Sequence, residues 1–405
     1  MRQSWLRISV LIWSLFFCFS LSAKQSLALP AKDWTFLIYL NGNNSLDPFG
    51  TLNLQQLEKI GSTANINIVV QWASLKTKTV RRLLIQKSTN PAQVTSPVIE
   101  EIKADMGDWH SVVEFVAWGA AHYPADHYFV DLWDHGSGWH SKQQPEARDI
   151  SWDEISGHHI TTAELGLALH ESAKAIGHKI DLYASDACLM AMVEIASEVK
   201  DSVSIFAGSE QIEPGEGWPY DQLMARWNQN PKVAAAELAK ILSEEYSKKY
   251  QNQNRGFTFS VFDLNFLPQL EQALSNFAQS MKILSGSNLR KVINAAQDAQ
   301  TFTHDDYVDL VDYLDELKLA RPANVDGAIL GSVRTAVQAF VIQNNQVNAP
   351  RAHGVSIWIP TNSLVLNKYG AIYSQLKFDR ETAWSEFLRA LANPHLGDVK
   401  RKGTE

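Results

Sequence analysis

The chain has 405 residues, long enough for one large domain or two ordinary ones, and 45% of them are hydrophobic. With 20% charged residues it has the balance of a globular protein with a sizeable core, which excludes a disordered chain. The net charge of −8 argues against nucleic-acid binding, because that function needs a basic face for the phosphates.

The first 28 residues have the pattern of a secretory signal peptide. Two arginines give a positive start, an apolar run covers residues 9–20, and small residues offer cleavage after Ala23 or Ala28. The run is shorter than the roughly 20 residues that span a bilayer, which disfavours the alternative of a retained membrane anchor. Removal takes three of the 36 basic residues and no acidic one, leaving 33 against 44 and a net charge of −11. We therefore expect a protein that is exported to the periplasm or the medium, without membrane contact. We also expect it to be a monomer.

Cysteine usage narrows the chemistry of the exported chain. Cys18 lies in the signal segment, so Cys188 is the single thiol of the mature sequence. A disulfide framework and a multi-thiolate zinc site are both excluded. A lone thiol in an exported protein risks oxidation, so its retention points to use, but on the count alone a buried inert cysteine is the favoured interpretation.

Short apolar runs alternate with helical patterns through the first half of the chain. Strands are predicted at residues 34–40, 66–73, 79–86, 127–133, 180–185 and 203–209. Helices are predicted at residues 52–60, 109–122 and 163–176, the last two with Asp108 and Thr162 as N-caps. The alternation predicts an α/β fold whose mostly parallel sheet is covered on both faces. In such sheets the site lies outside the carboxyl ends of the strands, here the loops near Asn41, Ser74, Asp134, Asp186 and Glu210.

The second half is more helical, with long candidates at residues 232–250, 266–284 and 324–342. Strand-like runs at residues 257–264 and 354–360 are expected to return to the central sheet. The predicted organisation is a core over residues 33–264, a helical C-terminal region over 265–395 and a loose tail over 396–405.

A histidine and a cysteine follow two neighbouring strands. The strand at residues 127–133 breaks into Asp134-His135-Gly136-Ser137-Gly138, where glycine leaves a backbone amide open to a ligand. The strand at 180–185 ends in Asp186-Ala187-Cys188, and a helical pattern then begins at once. We expect Cys188 at a helix N-terminus, where free amides and the helix dipole favour the thiolate. The 53 residues from His135 to Cys188 leave room for one crossover helix, a caspase-like spacing.

Several blocks of the sequence resemble the clostripain family of cysteine peptidases. They are Trp34-Thr35-Phe36-Leu37-Ile38-Tyr39-Leu40-Asn41, Asp134-His135-Gly136-Ser137-Gly138-Trp139, Ser156-Gly157, Thr161-Thr162-Ala163-Glu164-Leu165, Asp186-Ala187-Cys188-Leu189-Met190, Gly208-Ser209-Glu210, Pro214-Gly215-Glu216-Gly217-Trp218-Pro219-Tyr220 and Tyr307-Val308-Asp309-Leu310. The similarity covers residues 33–360 in order. It implies a caspase-like three-layer α/β/α sandwich and cleavage after basic residues.

The resemblance also implies roles for individual residues. His135 and Cys188 match the catalytic dyad, and the backbone amides of Gly136 and Cys188 match the oxyanion hole. Asp186 matches the acid of the specificity pocket. The expected protein is thus an endopeptidase that cleaves protein or peptide substrates after Arg, and less readily after Lys. No organic cofactor is implied; some relatives respond to calcium, but no Asp-rich loop resembles an EF-hand here.

Three further residues have a functional and a structural interpretation. Trp218, in a loop rich in Pro and Gly, is predicted to wall the substrate groove, with a place in the core as the alternative. Glu210, at a strand end, is positioned to meet a basic substrate, with a surface carboxylate as the alternative. Asp134 could orient the imidazole, although an acid that caps its loop is favoured.

A metal site is not expected. The neighbouring His158 and His159 would point apart in a strand or a helix, and no acid–histidine helical motif accompanies them or His140.

Residues 141–149 form a polar stretch with no hydrophobic period, which predicts an exposed loop between the two dyad residues. An enzyme specific for basic residues would cut itself there after Arg148 or, second, Lys142. The alternative is a surface loop that is never cut.

Two rival functions remain. One is a legumain-like or separase-like peptidase of different specificity, against which Asp186 argues because a carboxylate suits a guanidinium and repels an acid. The other is a catalytically inactive binding protein on the same fold, against which the intact dyad and the two glycines after His135 argue.

Overall fold

The computed structural model describes four stretches of the chain, residues 30–90, 92–140, 149–323 and 325–392. The predicted signal peptide, the predicted tail and the two predicted cleavage residues Lys142 and Arg148 lie outside these stretches.

The strands in chain order are β1 (Lys32–Gly42), β2 (Ile66–Ser74), β3 (Thr79–Leu84), β4 (Val98–Ile102), β5 (Ala125–Trp133), β6 (Ile150–Asp153), β7 (His158–Ile160), β8 (Ile180–Asp186), β9 (Val203–Gly208), β10 (Phe257–Asp263), β11 (Thr301–Phe302), β12 (His304–Asp309), β13 (Val341–Val347) and β14 (Ser356–Trp358).

The helices are α1 (Asp47–Glu58), α2 (Trp109–His122), α3 (Thr162–Ile176), α4 (Val193–Val199), α5 (Tyr220–Trp227), α6 (Ala235–Tyr250), α7 (Leu267–Met281), α8 (Gly286–Asp298), α9 (Leu310–Ala320), α10 (Gly327–Phe340), α11 (Ser363–Tyr373), α12 (Lys377–Thr382) and α13 (Trp384–Ala392). A short 3-10 turn, Leu264–Phe266, precedes α7. Within the described stretches, no helix combines the length and the apolar character needed to cross a membrane.

The central sheet has nine strands in the order β13-β10-β9-β8-β5-β1-β2-β3-β4. Its middle five strands, from β9 to β2, run parallel, because crossover helices connect them. Antiparallel strands flank this block on both sides, β10 and β13 at one edge and β3 and β4 at the other. The predicted mostly parallel sheet is confirmed, and the strand predicted at residues 79–86 is β3, which pairs antiparallel with β2.

Side chains of the central strands alternate between two cores. In β1, Leu37 and Tyr39 pack into the cluster that also buries α2, α3, α4 and α7, whereas Phe36 and Ile38 face the cluster that buries α1, α5 and α6. This period of two, with both faces apolar, is what a sheet covered on both sides requires. The three-layer α/β/α sandwich is therefore confirmed.

One predicted strand lies in a different sheet. The run at residues 354–360 was expected to return to the central sheet, but β14 pairs with β12 in a separate sheet of three strands. The reason is local: Ser356 N–H donates to the carbonyl of Ala191 at 3.0 Å, which holds β14 beside the segment after β8. The central sheet takes β13 at its edge instead, and β13 begins at the last two residues of the helix predicted over 324–342. The domain division at residue 264 stays a prediction.

The two predicted helix caps differ in outcome. Asp108 accepts the N–H of His110 and caps α2 as predicted. The cap of α3 is Thr161 rather than Thr162, because Thr161 accepts the N–H of Glu164 at 3.3 Å while the Glu164 carboxylate accepts the N–H of Thr161 at 2.9 Å. This reciprocal pair is a capping box.

Replacement of Thr161 by Ala should lower the free energy of unfolding by about 1 kcal/mol, because the N–H of Glu164 loses its acceptor and the Glu164 carboxylate loses the hydroxyl donor. Urea denaturation followed by circular dichroism measures the change. Glu164→Gln, which retains an acceptor oxygen, is the matched control and should lose less. An unchanged midpoint for Thr161→Ala would show that the capping box contributes nothing.

Candidate functional site

The loop after β5 is held by a buried carboxylate. Asp134 accepts hydrogen bonds from the side-chain amides of Asn41 at 2.8 Å and Asn44 at 2.6 Å, and from the backbone N–H of His135 at 2.6 Å. Burial raises the pKa of Asp134 well above its usual range, and these donors oppose the rise. Asp134 thus caps its loop, as predicted, and ties it to the loop that follows β1.

The His135 ring meets that same loop. Its Nε2 lies 3.0 Å from the hydroxyl oxygen of Ser45, a residue that has no predicted role. The signal available beforehand was only its position, just past the carboxyl end of the first strand.

Gly136 brings the histidine loop against the cysteine. A Cβ built on Gly136 would come 2.4 Å from the carbonyl oxygen and 3.1 Å from the backbone nitrogen of Cys188. A side chain is therefore sterically excluded, and only glycine allows the two loops to approach this closely.

Cys188 does not lie at a helix N-terminus, which corrects the sequence prediction. After it the chain turns, with a φ of +65° at Leu189, and no helix forms, because Leu189 N–H donates to the carbonyl of Gln211 at 3.3 Å and Ala191 N–H to that of Ser209 at 3.0 Å. These bonds use amides that a helix would have left free, and α4 begins only five residues after the cysteine. The helix dipole is therefore not the source of thiolate stabilisation.

Backbone amides surround the sulfur instead. The N–H of Glu213 donates to Cys188 Sγ at 3.3 Å, and the N–H groups of Gly136 and Cys188 itself also face Sγ. Burial raises the pKa of the thiol, with the negative charge of Asp186 adding to the rise, while the three amides oppose it. In this structure the thiol form is thus favoured until another group supplies positive charge.

A cluster of acids lies beneath the thiol. Asp186 is buried and accepts the backbone N–H of Trp218 at 3.1 Å, and the Tyr220 hydroxyl lies 2.9 Å from Asp186 and 2.8 Å from Asp131. Burial raises the pKa of Asp186 to about 6, and the N–H of Trp218, the hydroxyl of Tyr220 and the charge of Lys249 limit the rise.

Glu213 completes this cluster, and the sequence reasoning missed it. Burial, with the negative charges of Asp186 and of the Cys188 thiolate, raises the pKa of Glu213 well above its usual range. Its carboxyl group can bond that of Asp186 only if one of the two is protonated; otherwise neither Glu213 oxygen has a donor among the described residues. The sequence places Glu210, Glu213 and Glu216 in one loop, and only the fold distinguishes them.

These groups line a common pocket of about 170 Å³. Its walls are formed by Leu46, Trp133, Asp134, His135, Asp186, Ala187, Cys188, Ile212, Glu213, Pro214, Gly215 and Gly217. Gly217 has a φ of +57° and a Cβ there would lie 2.6 Å from an oxygen of Asp186, so glycine keeps the pocket open above the acid.

Two predicted site residues lie elsewhere. Trp218 is fully buried and packs on Phe129 and Tyr220, so it belongs to the core, the alternative considered from the sequence. Glu210 is also fully buried and accepts the N–H of Gly354 at 3.0 Å, which makes it neither a pocket residue nor a surface carboxylate. The structure does bring together His135, Gly136, Asp186 and Cys188.

The described stretches contain no group of three His, Cys, Asp or Glu side chains that could hold a metal ion. His158 pairs with Asp105 at 2.5 Å, and the buried His140 lies 3.9 Å from Asp306.

Comparison with known proteins places these features in a family context. The model of the clostripain family matches residues 38–390. Clostripain of Hathewaya histolytica is 25% identical over 243 residues, which are 53% of this chain and 44% of that protein. The chain thus spans less than half the length of that relative.

Two solved structures share the fold. A secreted cysteine protease from Bacteroides thetaiotaomicron, in complex with an irreversible peptide inhibitor, superposes with a TM-score of 0.66 at 21% identity, covering 87% of this chain and 99% of that one. An inactive protease zymogen from Parabacteroides distasonis also gives a TM-score of 0.66, at 17% identity and the same coverage of both chains. At these identities the likeness concerns the fold.

Proposed function

The chain belongs to the clostripain family, whose model matches most of its length, and we propose that it is an exported cysteine endopeptidase that cleaves after Arg and, less readily, Lys. Export rests on the signal-peptide pattern of the first 28 residues. The proposed enzyme acts as a monomer on protein or peptide substrates and needs no organic cofactor.

The proposed chemistry uses the thiol of Cys188 and the imidazole of His135. The thiolate attacks the scissile carbonyl carbon, and the amides of Gly136 and Cys188, which already face Sγ, hold the developing oxyanion. His135 gives a proton to the leaving amine, and water then hydrolyses the acyl-enzyme. Because burial and Asp186 disfavour a free thiolate, an imidazolium beside the sulfur is the charge that would complete the nucleophile.

The observation that carries the specificity is the pair of carboxyl groups Asp186 and Glu213 in the pocket beside Cys188. Glu213 has no donor for its ionised form among the described residues, so a substrate cation would fill an unmet need. A planar guanidinium can bond two carboxylates through separate N–H groups, whereas an ammonium acts as a point charge, which favours Arg over Lys.

Two features of the pocket, its acids and Gly136, argue against the rival functions. A legumain-like pocket for a neutral or acidic side chain would not place two carboxyl groups at its wall. A binding protein without activity would have no need for a glycine at position 136 that exposes its amide to the sulfur.

Self-cleavage between the dyad residues is a further part of the proposal. The segment 141–148 is not described, but its flanks are anchored beside the histidine, because Ser137 N–H donates to the carbonyl of Asp149 at 2.9 Å. Within that segment, the bonds after Arg148 and Lys142 are the ones that an enzyme specific for basic residues would prefer.

Cys188→Ala and His135→Ala should each lower kcat for an Arg ester by about 10⁴-fold, because each removes one half of the proposed dyad. Steady-state kinetics measures the loss, and unchanged thermal unfolding is the control for folding. Near wild-type turnover by either purified variant would refute the dyad.

The ratio of kcat/KM for an Arg substrate to that for its neutral citrulline counterpart should fall as the pH drops through about 6. The sign follows from Asp186, whose carboxyl group is ionised above its raised pKa and attracts the guanidinium only in that form. Asp186→Asn should flatten this dependence and lower the ratio by about tenfold or more. Asp221→Asn, which removes a partly buried acid that pairs with Lys59 outside the pocket, is the control and should leave the ratio unchanged. A pH-independent ratio in the wild type would exclude Asp186 from the specificity pocket.

Mass spectrometry of stored enzyme should show fragments ending at Arg148 or Lys142 in the wild type and an intact chain in Cys188→Ala. The double variant Arg148→Gln and Lys142→Gln should stay intact and have lower activity if the cut opens the site. Full activity of an uncut wild type would remove self-cleavage from the activation of this enzyme.

A further inference from the structure

A second cavity adjoins the cysteine pocket and has no role in the chemistry described above. It measures about 620 Å³ and lies between the start of α1 and the β2–β3 hairpin, so we call it the hairpin cavity. Leu46 lines the cysteine pocket and the next residue, Asp47, lines the hairpin cavity, so the two share a wall. The loop near Ser74, at the carboxyl end of β2, also lines this cavity.

Two cations line the hairpin cavity without an ion-pair partner in the described part of the chain. The Arg81 guanidinium lies 4.3 Å above the ring of Trp72, and its buried Nε has no hydrogen-bond partner. Glu101 is opposite Arg81 in the β3–β4 ladder but makes no ion pair with it among the described contacts. Lys76 is exposed at the rim.

The negative charge in the cavity is already engaged. The Asp47 carboxylate accepts the Ser74 hydroxyl at 3.2 Å and the backbone N–H of Lys76 at 2.9 Å, so it serves the hairpin turn rather than the cations. Trp72 is nine-tenths buried and supports the Arg81 guanidinium, of which Nη2 donates to the Thr77 hydroxyl at 3.5 Å. Two cations at the wall of a cavity whose one acid is already hydrogen-bonded favour an anionic ligand.

We propose that the hairpin cavity is a subsite for an acidic side chain, Asp or Glu, of the polypeptide being cut. The proposal rests on the proposed peptidase function, because it needs a peptide anchored at Cys188. An extended peptide rises about 3.3 Å per residue, so a side chain a few positions from the cut can cross the shared wall. A stacked guanidinium offers its N–H edge to a carboxylate in a fixed orientation, which an exposed lysine alone would not do.

The proposed enzyme therefore recognises a charge pattern and not one residue. A basic side chain enters the acidic pocket lined by Asp186 and Glu213, and an acidic side chain a few positions away enters the basic hairpin cavity. Substrates that carry both charges would then be selected over purely basic ones. The acidic net charge of the chain alone would attract basic substrates but would not make this selection.

The test compares pairs of fluorogenic peptides with Arg before the cut that differ by Asp or Asn at one position, scanned over four positions on each side. At one position or two neighbouring positions, Asp should raise kcat/KM about 5- to 10-fold over Asn in the wild type. Arg81→Gln should remove this preference, Arg81→Lys should retain part of it, and Lys76→Gln should reduce it. Arg255→Gln, which removes another cation that lies over an aromatic ring, is the matched control and should leave it intact.

The outcomes separate this inference from the function on which it rests. Equal cleavage of every Asp and Asn pair by a wild type that still requires Arg would overturn the subsite and leave the peptidase assignment standing. A preference for Asp that survives in both Arg81→Gln and Lys76→Gln would assign it to another surface and also overturn the proposal. Absence of any Arg requirement would instead contradict the proposed function itself. Lys76 is exposed, so its variant remains informative if Arg81→Gln does not fold.

Discussion

The buried carboxylate of Asp134 holds together the parts of the site that come from different strands. It accepts the side-chain amides of Asn41, at the end of β1, and of Asn44, just after β1, and the backbone N–H of His135, which follows β5. Removing a charge from water is costly unless hydrogen-bond donors replace the solvent. Loss of any of these bonds would therefore be unfavourable, and the bonds fix the positions of both loops. Through them the β1 loop carries Ser45 to the imidazole and Leu46 to the wall of the cysteine pocket.

The acids beneath the thiol work in the opposite sense. Asp131, Asp186 and Glu213 lie close together away from water. Burial raises the pKa of each, and the negative charge of Asp186 adds to the rise for Asp131 and Glu213. The Tyr220 hydroxyl can donate its proton to only one of Asp131 and Asp186 at a time. An arrangement of this kind lowers the stability of the free protein. A cation that enters the pocket would neutralise part of the repulsion and offset the loss. Such local conflict is a common property of functional sites, and the well-packed layers on both faces of the sheet can tolerate it.

The sequence predicted what depends on local periodicity and missed what depends on tertiary contacts. The alternation of strands and helices was readable because both faces of the central strands are apolar, and it placed His135 and Cys188 at neighbouring strand ends. The helix expected at Cys188 failed because Leu189 and Ala191 give their amides to the loop after β9, a competition that no local pattern reveals. Tertiary contacts also decide which glutamate of this loop lines the pocket, so the sequence predicted Glu210 as a substrate-binding residue although Glu213 holds that position.

The region after β10 bears directly on the geometry of the site. The Tyr307 hydroxyl accepts the N–H of His140 at 3.1 Å and lies 2.8 Å from the carbonyl of Ser137, so β12 braces the chain that leaves the histidine. On the other loop, β14 receives the segment after the cysteine through the bond from Ser356 to Ala191. The sheet of β11, β12 and β14 therefore contacts both loops, and Asp134 holds the histidine loop through separate hydrogen bonds. The separation of imidazole and thiol is thus set by three elements distant in sequence, and the position of β14 outside the central sheet is what makes this bracing possible.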